Sequence, residues 1–234
     1  MQLPDRYRKC AYRWICPTTR RSLSAKFAID TELAESIEAR FGIPAHMQVG
    51  GGRVAIRSHA DYAELSARGI TLYNGVLSVD YSGIAAQSMS TLLPLAQHLI
   101  AQAGAGADLR AKVAAVLGLA QAVRYEIPQD APDGTSKLSF RTPLALLSRG
   151  GGDCDSKVCL AAAMLKSVGL ASVAIVLGRH HAMLGVELPT QSGDAAIALE
   201  GRSYVVTEAT TPVPIGFCGA EEVTHGAAFR GRAI

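Results

Sequence analysis

Arg149-Gly150-Gly151-Gly152-Asp153-Cys154-Asp155-Ser156-Lys157 is the stretch on which the reading of this chain turns. Three consecutive glycines end any regular element before them, because each weakens a helix or strand and tolerates backbone angles other residues avoid. Asp153 is a residue type that caps a helix N-terminus. Behind it, residues 154–168 carry Val158, Leu160, Ala161, Leu165 and Val168 as a buried face, with Gly169 as the stop. Cys154 therefore opens a buried helix. The unpaired N–H groups and partial positive charge at a helix start stabilise a thiolate, the form in which sulfur is a nucleophile. A free cysteine is ordinarily a small buried hydrophobe, and Cys159 inside the same helix reads that way. The glycine lead-in and the helix-start position set Cys154 apart. Asp153 and Asp155 read as caps that favour the helix dipole.

Downstream, residues 171–178, 181–188 and 203–210 read as strands, and the loop at 189–195 makes the second and third a hairpin. His181 opens one of these strands and Glu208 closes the other. Antiparallel neighbours can bring the start of one strand beside the end of the next, so His181 and Glu208 are expected to meet. With the helix N-terminus against them, thiol, imidazole and carboxylate fall into line. His181 would take the thiol proton and return it to a leaving amine. Glu208 would fix the ring tautomer and favour its charged form. Backbone donors at the helix start, the N–H of Cys154 among them, would meet a developing oxyanion, with Gln121 as the side-chain donor. His180 rivals His181, but adjacent strand residues face opposite sides, so only one can face the thiol. A metal site built from Cys154, Asp155, His180, His181 and Glu208 is the competing chemistry. It lacks the short ligand spacing of structural zinc, and neighbouring strand histidines do not readily share one ion.

Upstream, residues 10–16 and 21–29 read as two strands, the second alternating Leu23, Ala25, Phe27 and Ile29. A helix follows at 31–40. A β-rich stretch from Val54 to Asp80 contains a helix near 59–67 and a turn at Asn74-Gly75. Residues 88–103 and 107–124 read as helices, 126–141 as a long polar loop, and 143–148 as a short helix. A β-rich front, a helical middle and a helix packed on an antiparallel sheet give an α+β fold.

Four segments resemble the transglutaminase-like superfamily, whose fold is related to that of papain-like cysteine proteases, and most nearly its bacterial and archaeal cysteine peptidases. They are Leu119-Ala-Gln121-Ala-Val-Arg-Tyr125, the run from Thr142 to Lys157 with its Gly-Asp-Cys-Asp turn, His181-Ala-Met-Leu-Gly-Val, and Gly201-Arg-Ser-Tyr-Val-Val-Thr-Glu208-Ala-Thr-Thr-Pro. Glu208 stands where many members carry Asp. The resemblance covers about 119–216 and implies a Cys154-His181-Glu208 triad. With it, residues 1–86 are expected as a β-rich extension and 87–234 as the catalytic domain.

The rest of the composition excludes more than it assigns. The chain has 234 residues, 49% of them hydrophobic, and a net charge of +3, which gives no global case for nucleic-acid binding. The first thirty residues hold seven Lys/Arg against two Asp and read as a solvated face. Five irregularly spaced cysteines do not make a disulfide framework. No apolar run spans a bilayer, and no secretory signal is read at Met1, so the expectation is a cytoplasmic protein. The function expected is a cysteine-dependent amide hydrolase acting on a protein or peptide, with no cofactor. Acyl transfer to an amine and a non-catalytic binding module on the same fold are the alternatives.

Overall fold

A computed structural model of the chain describes residues 4–73, 75–178, 181–218 and 230–234. The front begins with a hairpin, β1 (Tyr7–Ile15) against β2 (Ser22–Asp30), in antiparallel register from Tyr7↔Asp30 to Ile15↔Ser22. Asp30 ends the hairpin and caps α1 (Thr31–Arg40), its side chain accepting from the Leu33 N–H at 3.1 Å. Then come α2 (His59–Ala67) and a second hairpin, β3 (Ile70–Tyr73) with β4 (Val76–Val79). The front thus carries helices as well as strands. Between Val54 and α2 the only pairing among the described residues is an isolated bridge, Gln48↔Val54.

Asp80 caps α3 (Tyr81–Ala103), accepting from the Gly83 N–H at 3.2 Å. The helix thus starts earlier than the expected residue 88, because a cap outweighs the low helix propensity of Tyr81, Ser82 and Gly83. The boundary expected at 86/87 falls inside this helix. Next are α4 (Leu109–Ala122) and the two-residue strand β5 (Arg124–Tyr125). Residues 126–141 form the expected long loop, and α5 (Pro143–Arg149) follows, with Pro143 at its start and Gly150 in the left-handed conformation (φ 77°) at its end. Strand β6 (Gly151–Gly152) lies parallel to β5, and α6 (Cys154–Ser167) begins two residues later.

α6 packs against α3, α4 and α5 on one side and against the main sheet on the other. That sheet is antiparallel, in the order β11-β7-β8-β10-β9: β7 (Val173–Leu177), β8 (Ala182–Val186), β9 (Ala196–Leu199), β10 (Arg202–Thr207) and β11 (Arg230–Ala233). The fold is α+β. The sequence reading missed β9 and β11. β8 and β10 are sheet neighbours, but not a simple hairpin: the chain passes through the edge strand β9 and returns by the turn at Glu200-Gly201, where both residues have positive φ (50° and 76°). Arg110 of α4 fastens that excursion. It donates to both carboxylate oxygens of Asp194, at 2.6 and 3.1 Å, and to the Pro189 carbonyl at 2.9 Å.

One apolar core runs from Leu23, Ile29 and Phe41 at the front through Leu92, Leu99, Val116 and Leu119 to Val158, Leu165, Leu184 and Val205. Trp14 of β1 brings its indole against α4 where Gly118 has no side chain to obstruct it.

Candidate active site

The glycine turn is built by close approach. A Cβ on Gly152 would lie 2.6 Å from Leu146 Cδ1, so only glycine lets the strand pass under α5 without displacement. Loop 126–141 then clamps the turn. The Glu126 N–H donates to the Gly152 carbonyl at 3.0 Å, and the buried Arg141 guanidinium donates to the Gly151 carbonyl at 2.5 Å and to Glu126 at 3.2 Å. The Arg141 N–H donates to Ser156 Oγ at 2.8 Å. Ser156 in turn donates its hydroxyl to Asp153, whose carboxylate also caps the Ser156 N–H at 3.3 Å. The first turn of α6 is thereby fixed from outside as well as from within.

Cys154 is the first residue of α6 and is partly exposed. His181 lies one residue before β8, at the end of the β7–β8 hairpin, where its carbonyl accepts from the Gly178 N–H at 2.8 Å. Glu208 lies one residue past β10, whose last pair with β8 is Thr207↔Leu184. His181 Nε2 and Glu208 Oε2 are 2.5 Å apart. The Cys154 side chain lies close enough to the imidazole to favour its protonated form. With Nε2 taken by Glu208, Nδ1 is the nitrogen left for the sulfur. The three residues singled out from the sequence therefore converge on one ring. Arg179 and His180 lie outside the described residues, so the rival histidine falls outside them too.

Cys154, and then the bond to Glu208, push the His181 imidazolium up to about 10 against the effect of burial. For Glu208, burial alone would raise the carboxyl. The bonds from His181 and from the hydroxyl and N–H of Thr210, both at 2.6 Å, outweigh it and hold the group below the usual range. A proton on the ring and a charge on the carboxylate are the natural state at neutral pH.

Gln121 does not stand as a free donor. Its Nε2 gives its two hydrogens to the carbonyls of Glu208, at 2.9 Å, and Val213, at 3.0 Å. It is a brace for the segment that carries the carboxylate. Sequence reasoning missed three further residues. Thr210, in the Thr-Thr-Pro run, carries no local signal of its role, yet it donates to Glu208 through both its N–H and its hydroxyl. Tyr81, at the start of α3, donates its hydroxyl to Asp155 at 2.9 Å. Lys157 lies three residues into the helix and is fully buried, donating to the carbonyls of Val123, at 2.8 Å, and Thr210, at 3.2 Å.

Burial and the neighbouring Asp153 push the Asp155 carboxyl above its ordinary range, against the pull of Tyr81 and the Ser156 N–H. Asp153, Cys154 and Asp155 each bring one donor atom within 4.8 Å of the others. Asp153 takes the contacts of a helix cap, from the N–H and hydroxyl of Ser156, and Asp155 accepts from Tyr81 and the Ser156 N–H. Tyr125 of β5 is about half exposed and lies within electrostatic reach of Cys154 and Glu208. Burial raises its hydroxyl, and the charges of Cys154, Asp153, Asp155 and Glu208 raise it further. Two clefts of about 330 and about 560 Å³ lie elsewhere, around Ile37 and Arg68 and around Glu35 and Asp130.

No protein-family model and no curated protein matches the chain. Among solved structures it is similar to Legionella pneumophila LapG. The EGTA-treated form aligns with a TM-score of 0.38 and 16% identity over 61% of this chain and 76% of that one. A second LapG structure aligns with a TM-score of 0.34 and 18% identity over 58% and 80%. No helix among the described residues is long and apolar enough to cross a membrane.

Proposed function

We propose that the protein is a cysteine-dependent amide hydrolase of the transglutaminase-like kind, acting on a protein or peptide through Cys154, His181 and Glu208. The observation that carries this reading is the single imidazole 2.5 Å from a carboxylate, with the thiol at a helix N-terminus near enough to favour the protonated ring. A structural histidine needs one of these partners, not both in this order.

Cys154 Sγ adds to the amide carbonyl, and the N–H of Cys154 at the helix start donates to the oxyanion. His181 gives its proton to the amine as the C–N bond breaks, leaving a thioester. Water, deprotonated by His181, then releases the acid and restores the thiol. Because the Gln121 amide hydrogens are committed elsewhere, the side-chain part of the oxyanion site is not assigned to it. Tyr125, exposed beside the thiol, is a surface on which substrate would rest.

The test is turnover of a mixed peptide library by wild type and Cys154→Ala, with products analysed by mass spectrometry with and without a primary amine. Hydrolysis lost in the variant, with no amine adduct, supports the reading. An active Cys154→Ala protein contradicts it, and an amine adduct would move the assignment to acyl transfer.

A further inference from the structure

We propose that Lys157 is a positioning residue for this site, pinning the turn that carries Glu208 to the end of α4 and so holding the carboxylate on the imidazole. The inference rests on the reading of Cys154, His181 and Glu208 given above.

A fully buried ammonium is costly, and an apolar side chain of similar length fills such space without that cost. Lys157 has no exposed surface. Its ammonium donates to the carbonyl of Val123, which caps the end of α4, and to that of Thr210. Thr210 then donates both its N–H and its hydroxyl to Glu208 Oε1, leaving Oε2 for His181. The path from Lys157 to the ring is therefore continuous: ammonium, Thr210 carbonyl, Thr210 donors, carboxylate, imidazole. Gln121 acts on the same segment, at the carbonyls of Glu208 and Val213. Residues 208–213 are thus held at three carbonyls by two side chains, one from α4 and one from the helix bearing the thiol. Burial lowers the Lys157 ammonium to about 8 although the Glu208 charge favours it, so the lysine is still largely charged at neutral pH.

The experiment compares wild type with Lys157→Met, which keeps the length and removes the donors, and with Lys157→Gln. Three quantities are measured: thermal unfolding, the rate of Cys154 alkylation by iodoacetamide at about pH 6 with peptide mapping, and the NMR titration of the His181 ring. The expected result is a folded variant whose alkylation is slowed about tenfold or more and whose ring titrates lower by about a unit or more. The direction is diagnostic. Deleting a nearby positive charge would by itself move the ring up, so a downward move reports loss of the carboxylate's hold. Unchanged alkylation with an unchanged or upward-shifted ring overturns the proposal. If neither variant folds, Thr210→Val, which removes the hydroxyl that links the Lys157-held turn to Glu208, decides: slowed alkylation with a lowered ring supports the proposal, and unchanged alkylation with an unchanged ring overturns it. Slow labelling in wild type would instead reject the site itself, whereas fast and equal labelling in wild type and Lys157→Met would reject only the role of Lys157.

Discussion

His181 shares its ring between two partners, and the consequences can be read in proton equilibria. Replacing Glu208 by Gln keeps the size and removes the charge. The ring should then titrate well below about 10, back towards 6.5, and Cys154 should label about tenfold or more slowly at about pH 6. The same shift has a stability counterpart. The folded-state value of His181 is raised, so its contribution is fully present below 6.5 and is lost as the pH rises towards about 10. Glu208 is held below its ordinary 4.5, so its contribution is present above that value and is lost on acidification. Urea denaturation of wild type and His181→Ala should show a difference that shrinks steadily between pH 6.5 and about 10. A difference that grows over that window would contradict the assigned shift.

At the scale of elements, the site depends on a strand of two glycines threaded between loop 126–141 and α5. Gly152→Ala forces a Cβ against Leu146 and should destabilise the fold by about 1–3 kcal/mol, with a larger proportional loss of Cys154 reactivity, since the thiol hangs on this turn. Chemical denaturation and labelling of the same sample check both parts. Elements were also where the sequence was most and least legible. The helix opened by Cys154 could be read because Gly-Gly-Gly-Asp is a local signal. The meeting of His181 with Glu208 could be anticipated because strand ends pair by a simple rule. β9 could not, because its short alternation Ala196-Ile-Ala-Leu199 follows a loop whose path is fixed by a distant partner, Arg110. Lys157 stood in the decisive stretch and was passed over. Its burial depends on where the end of α4 and the turn at Thr210 arrive, and no local pattern encodes that. Gln121 lies in the expected neighbourhood, but its hydrogen bonds go to carbonyls that only the folded chain brings within reach.

At the scale of the whole molecule, the front hairpin and the helical centre share one core, and the seat of Trp14 on Gly118 is one of their junctions. Among the described residues the buried Trp14 Nε1–H has no hydrogen-bond partner, and packing holds this contact. Gly118→Ala would drive a methyl into the indole and should cost about 1–3 kcal/mol, although alanine is the better helix former. A stability equal to or above wild type in thermal unfolding would show that the hairpin yields freely. The helices act together on the site. α5 and the loop before it set the height of the glycine turn, α6 presents the sulfur, and the end of α4 braces the segment after β10. The central claim is that this arrangement prepares a reactive thiolate–imidazolium pair at Cys154. The most direct measurement is the rate of Cys154 alkylation by iodoacetamide from about pH 4 to about pH 9, in wild type and His181→Ala. Rapid labelling that persists far below the ordinary thiol range of about 8.5 and collapses in the variant is the predicted result. Slow labelling that rises only near that range and ignores the loss of His181 would contradict it.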